Sequence, residues 1–223
     1  MTSPTKHAAR VCLGAVLLAA TASGPAGCNV VGPLYALAAG PGEVKAAYKL
    51  DPDKKTVIFV DDPANRIAQR RIRARIGAVA QDMLVRKNII HEGNMIDTRS
   101  ALAAASQEND GRPIAVTEVG RAVGADVVIY VLVTKFSLSP DGVEFKPASE
   151  VEVKVFDAAN QKRLWPPPGE PGYRTSFTDK QGNRTMRRTR TDLLRAQADL
   201  AQLTGYGLAQ LFYDVERPQS LRR

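Results

Sequence analysis

Thr56-Val57-Ile58-Phe59-Val60, followed at once by Asp61-Asp62-Pro63, decides the fold. An unbroken β-branched and aromatic run closed by turn-forming residues is the pattern of a strand buried on both faces. Asn65 stands in position to cap a helix over residues 66–87, in which Ile72, Ile76, Val79 and Met83 recur at spacings of 4, 3 and 4. That spacing gives one apolar stripe for packing on the strand. A strand followed by an amphipathic helix opens an α/β unit.

Outward from this unit the same alternation continues. Val44 to Leu50 reads as an edge strand and Asp51-Pro52-Asp53 as a turn. Asn88 to Asp97 reads as a short strand, followed by a helix from Thr98 or Ser100 to Ala105 and another from near Thr117 to Gly124. Val127-Val128-Ile129-Tyr130-Val131-Leu132-Val133 carries the strongest β signal in the chain. Beyond the Ser-Pro-Asp-Gly turn at 139–142, Val151, Val153 and Val155 alternate with Glu152 and Lys154, which predicts a half-exposed strand. Asp157 to Asn160 turns toward Arg163-Leu164-Trp165, the prolines of 166–171 end regular structure, and Tyr173 to Thr178 can pair as a further strand. Thr189 with Asp192 three residues on opens a final helix, given an apolar face by Leu193, Leu200, Leu203, Leu208, Leu211 and Phe212. The expected architecture is an α/β fold, a mixed β-sheet flanked by helices, in a single domain over residues 43–216.

The 223 residues, 44% hydrophobic and 24% charged, suit a packed domain and exclude a disordered or fibrous chain. Ahead of the domain, Lys6 and Arg10 precede an apolar stretch from Val11 to Thr21, and small residues lead to Pro25-Ala26-Gly27-Cys28. A basic start, a short apolar stretch and a small-residue zone read as an export signal over 1–27. Ala26-Gly27-Cys28 resembles the lipobox of bacterial lipoproteins, although Pro25 stands where an aliphatic residue is usual. The resemblance implies acylation of Cys28, a lipidated tether over 28–42 and a mature chain anchored to a membrane. Asn29 after the cysteine resembles the sorting pattern for the outer membrane, which places the domain on the periplasmic side. Residues 217–223 form a basic tail.

The formal charge is +8, and basic residues gather at Arg66, Arg70, Arg71, Arg73, Arg75 and again at Arg184, Arg187, Arg188, Arg190, Arg195. No base-reading motif or aromatic platform accompanies them, so nucleic acid is not expected as a partner. Anionic head groups, acidic glycans or an acidic protein face suit them better, with solvated helix faces as the plain alternative. On a helix beginning near 66, Arg66, Arg70 and Arg73 share one side and face water, making them candidate partner-binding residues. Trp165, set before Pro166-Pro167-Pro168, is either a cap on the sheet edge or an exposed partner anchor.

Chemistry has few carriers. His7 leaves with the signal, so His91 is the one mature histidine, and no serine or cysteine nucleophile motif surrounds it. Gly120 and Gly124 lack the lysine of a phosphate loop. Asp61-Asp62 resembles the acidic pair of response-regulator receivers, but its simpler reading is the end of a strand. No catalytic residue, metal ligand or cofactor is expected. The enzymatic alternative is a periplasmic hydrolase of cell-wall or glycan material using Asp61, Asp62 and Glu92 as acid and base.

Residues 56–165 resemble a set of envelope lipoproteins that share the fold of the TolB amino-terminal domain, among them the curli secretion channel lipoprotein family. The resemblance rests on Thr56-Val-Ile-Phe-Val60 before a long helix, on Gly120-Arg-Ala-Val-Gly-Ala-Asp126 leading into 127–133, and on the strand ending Val155-Phe-Asp157. It implies a non-enzymatic envelope protein that binds another envelope protein. A ring-forming, homo-oligomeric secretion-associated component is the further alternative. The long alternating segments of a membrane-spanning hairpin are not seen.

Overall fold

The computed structural model describes residues 43–106, 114–140, 144–179 and 189–216. The signal over 1–27 with Cys28, the tether to residue 42, the basic tail at 217–223, and Arg184, Arg187 and Arg188 lie outside the described residues.

In chain order the elements are β1 (Glu43–Val44), β2 (Thr56–Asp61), α1 (Arg70–Arg86), β3 (Met95–Ile96), α2 (Thr98–Ala105), α3 (Val116–Ala122), β4 (Val127–Ser137), β5 (Ala148–Asp157), β6 (Lys162–Trp165), β7 (Tyr173–Thr178), α4 (Arg190–Ala209) and β8 (Val215–Glu216). The main sheet runs β3-β2-β4-β5, and β5 is paired beyond that by β6 at one end and β7 at the other. β2 is parallel to both β3 and β4, while β4/β5, β5/β6 and β5/β7 are antiparallel. The sheet is therefore mixed and flanked by helices, an α/β architecture in one domain.

Two apolar layers bracket the sheet. On one side Ile58, Val60, Ile129, Val131, Val153 and Val155 pack with Ile72, Ile76, Ala80 and Leu84 of α1 and with Ala201 and Leu208 of α4. On the other, Val57, Phe59 and Val128 meet Ala101 and Leu102 of α2 and Val119 of α3. Successive residues of β2 thus feed opposite cores, and Val57, Ile58 and Val60 have no exposed surface. Each such side chain contributes roughly 1.5–3 kcal/mol of apolar burial.

The Gly120–Asp126 segment is packing machinery. A Cβ on Gly120 would lie 2.4 Å from Val128 Cγ2, so the absent side chain lets α3 lie against the sheet. Gly124 turns the chain at φ +72°, where a left-handed residue ends the helix. Asp126 N then donates to Lys55 O at 2.7 Å, and its carboxylate accepts from Lys55 N at 3.0 Å, tying the start of β4 to the start of β2.

Several expectations are corrected. The long helix begins at Arg70, not 66, because the buried Asp62 carboxylate accepts from Arg66 N at 2.9 Å and Ile67 N at 2.6 Å. That closes a side-chain-held turn in which Asn65 is left-handed at φ 50°, and no helix can pass through it. Asn65 is therefore not the cap. Gln69 takes that place and makes no side-chain cap. The buried seam of α1 is Ile72, Ile76, Ala80 and Leu84, with Val79 and Met83 only partly covered. Instead of a strand over 88–97, Asn88 turns at φ 53°, a 3-10 turn follows over Glu92–Asn94, and only Met95–Ile96 pair with β2. The edge strand expected over 44–50 shrinks to Glu43–Val44, which pairs with β8 in a separate two-stranded ribbon. In α4 the threonine cap is present, Thr189 Oγ1 accepting from Asp192 N at 3.2 Å, but Leu193 is exposed and the buried seam is Leu200, Ala201, Thr204, Gly205 and Leu208.

Candidate functional site

Helices α1 and α4 lie side by side and run parallel. Gln69 meets Gln197 at 3.5 Å, Arg75 donates to Gln202 at 2.9 Å, Gly205 abuts the backbone of Ile76, and Lys87 sits over the ring of Tyr213. Both indices rise together, so both amino-terminal ends lie at one end of the pair.

That end carries the first arginine cluster. Arg66 sits in the turn ahead of α1, exposed, with Nη1 donating to Val133 O at 3.3 Å. Arg70 and Arg71 are exposed in the first turn of α1, and Arg71 Nε donates to Gln69 Oε1 at 2.7 Å. Arg73 is half-buried and its Nε is covered without a hydrogen-bond partner. The three candidates Arg66, Arg70 and Arg73 therefore do not form one water-facing helical stripe. With the helix starting at Arg70, Arg66 lies off it and Arg73 turns partly inward. Among the described residues, none of Arg66, Arg70, Arg71, Arg73 and Arg75 forms an ion pair; Arg66, Arg71 and Arg75 donate to amide or carbonyl oxygens. The first turn of α1 also holds no acid. Positive charge there opposes the helix macrodipole, which favours anions at that end. Beside Arg66, a cleft of about 60 Å³ opens between Ile67, Phe136, Leu138 and Gln197.

Trp165 is at the opposite side of the sheet's far edge, half-buried against the core, with ring centroids 4.9 Å from Tyr173 and 5.8 Å from Tyr48. It holds the arriving 43–50 segment to β6 and β7, which is the sheet-edge role.

The carboxylates proposed as acid and base do not converge. Asp61 accepts from Tyr130 Oη at 2.8 Å at the end of β2, and Asp62 is buried under its backbone donors. Glu92 precedes the strand that pairs with the start of β2, roughly 15–20 Å away along the sheet. His91 is exposed beside Asp53, 3.4 Å from its carboxylate. Burial, then the Asp61 charge and hydrogen bond, hold the Tyr130 phenol well above its ordinary range. A depression of about 200 Å³ lies at the start of β2 and β4, lined by Asp51, Lys54, Asp126 and Asp157 among others. Its acids are engaged locally: Asp51 accepts from Asp53 N, Asp126 from Lys55 N and Asp157 from Asn160 N. Among the described residues there is no group of three or more His, Cys, Asp or Glu placed to hold a metal ion, and no helix long and apolar enough to cross a membrane.

One polar cluster was not anticipated. Glu152, expected on an exposed face, is 8% exposed, bonded to Lys154 Nζ at 2.7 Å and Arg174 Nε at 3.2 Å. Gly172 packs against its side chain. Burial works to raise its pKa, but the two cationic hydrogen bonds outweigh it and the carboxyl sits below the usual range. The signal that could have found it is the arginine of β7, which lands opposite Glu152 once β7 pairs with β5.

The fold and this surface define an α/β protein with a mixed sheet, an arginine-rich helix end and scattered, locally engaged acids. No family model matches the sequence, and no curated protein matches it. Similar solved structures include the PelC dodecamer of Paraburkholderia phytofirmans, 14% identical with a TM-score of 0.42, covering 77% of this chain and 95% of that one. The hypothetical protein CT253 of Chlamydia trachomatis is 12% identical at a TM-score of 0.38, covering 71% and 98%. Lipoprotein GNA1162 of Neisseria meningitidis is 12% identical at 0.36, covering 66% and 94%.

Proposed function

We propose that this chain is a lipid-anchored envelope lipoprotein, facing the periplasm from the outer membrane, whose α/β domain binds another envelope protein and performs no chemistry of its own. The anchoring rests on Ala26-Gly27-Cys28 behind an export signal. The binding role rests on one observation: at the amino-terminal end of α1, five arginines gather without an ion-pair partner among the described residues. Like charges left together repel by a few tenths of a kcal/mol per neighbouring pair, a cost that an acidic partner would remove. The hydrolase alternative needs Asp61, Asp62 and Glu92 at one bond, and their spread along the sheet argues against it.

The test has two arms. Cys28→Ser should abolish palmitate labelling and leave the chain off the membrane or as precursor; labelling that survives refutes the anchor. Arg66, Arg70 and Arg73 replaced together by Gln should lower the melting temperature only slightly, through the lost Arg66–Val133 bond and the half-buried Arg73, yet reduce crosslinking to envelope protein, most strongly at low salt. Crosslinking equal to wild type at low salt refutes the binding face.

A further inference from the structure

The sequence holds two separate basic clusters, and the structure brings Arg190 and Arg195, the described part of the second, up to the first. The second continues into α4 as Arg190 and Arg195. Because α4 runs parallel to α1 and Gln197 meets Gln69, these two arginines stand level with Arg66 and Arg70. The positive ends of two helix dipoles and seven arginines therefore share one end of the molecule, and the dipoles add to the charge. The acids of α4 do not cancel this. Asp192 is bound by the Thr189 hydroxyl at 2.5 Å, and among the described residues neither it nor Asp199 forms an ion pair.

We infer that the joined ends of α1 and α4 form one docking surface for an acidic protein segment that carries an apolar side chain between its carboxylates. This rests on the binding-module reading above and names its partner's chemistry. Three features select that partner. Every cation contributed by α1, the turn before it and the first half of α4 is arginine, with no lysine between residues 56 and 86 or within α4, and the planar guanidinium fork suits carboxylates bidentately. Apolar side chains lie among the charges: Phe136 and Leu138 line the cleft beside Arg66 together with the amides of Gln69 and Gln197, and Leu193 is 40% exposed one turn beyond Arg190. Finally, β1 and β8 close at the other end of the helix pair, where Ala47 N donates to Leu211 O. The 20-residue α4 spans about 30 Å, so Glu43, where the described domain begins, lies far from the arginines.

The experiment titrates the full chain in detergent with a synthetic glutamate-rich peptide bearing a central leucine. It is run at about 0.01 M and about 0.15 M salt, between which the screening length falls from roughly 30 to 8 Å. The Arg190→Gln, Arg195→Gln double variant should weaken binding about five- to tenfold at low salt, with a smaller difference at high salt, as two exposed charge pairs allow. A leucine-to-serine peptide should bind more weakly than its parent, and glycerophosphoglycerol, the phosphate head group without acyl chains, should not displace it. If the Arg66/Arg70/Arg73 variant weakens binding but the α4 double variant does not, the joint surface is wrong while the binding-module reading stands. If neither weakens it, both are wrong. Equal binding of the serine peptide, or displacement by the head group, overturns the choice of partner.

Discussion

Replacing Gly205 by Ala should destabilise the domain even though the exchange improves helix propensity. The residue lies in the interior of α4, where Gly→Ala ordinarily gains about 0.5–1 kcal/mol. Here an added Cβ would stand 2.7 Å from the carbonyl oxygen of Ile76 and 2.7 Å from Val79 Cβ, where 3.4 Å is ordinary contact. The nearest obstacle is the backbone of α1, so relief requires one helix to move away from the other across the most buried part of their contact. Overpacking of this kind costs about 1–3 kcal/mol, which exceeds the propensity gain. The expected net loss of about 1 kcal/mol lowers the melting temperature by roughly 2–4 °C in a domain of this size. Gly93→Ala is the control, because nothing lies within 4 Å of its added Cβ. It should melt with wild type or slightly above. Thermal melts and urea midpoints read both variants. A Gly205→Ala protein that melts at or above wild type would falsify the close parallel packing of α1 and α4.

Two more predictions follow from the sheet. Glu152 has a folded pKa below its reference value of 4.5, so its contribution is present above that value and is lost as pH falls through the folded pKa. Wild type should lose stability on acidification below about pH 4.5, and Glu152→Gln, less stable near neutrality, should show a flatter profile there; urea midpoints across pH decide it, and parallel profiles would sink the assignment. Trp165→Ala removes two ring contacts and a half-buried side chain, and should cost about 2–4 kcal/mol, with Trp165→Phe recovering most of it. An unchanged melting temperature would return Trp165 to the surface as a partner anchor.

What could be read from sequence was whatever depends on neighbours along the chain. β2 and β4 are continuous apolar runs, and their burial on both faces follows from that pattern alone. The cap at Thr189 is likewise local, a hydroxyl and an amide three residues apart. The start of α1 was misplaced because the Asp62 side chain takes backbone donors ahead, a competition that apolar spacing does not report. The shifted start takes Arg66 off the helix, while Arg73, three residues before Ile76 and seven before Ala80, borders the buried seam wherever the helix begins. The burial of Glu152 and the meeting of the two basic clusters depend on β7 choosing β5 and on α4 running parallel to α1. Both are contacts between distant segments, without a periodic trace in either.

The ribbon of β1 and β8 pairs Glu43 with Glu216, joining the first described residues to the last. Closing so long a loop costs chain entropy that grows as about (3/2)RT ln n, and two residue pairs repay little of it. The ribbon therefore depends on the sheet and α4 to bring its ends together, helped by Ala46 N donating to Asp214 and by Ala47 N and Tyr48 N donating to Leu211 O. Until β8 is in place β1 has no partner strand among the described residues, so the seam closes only over a finished domain.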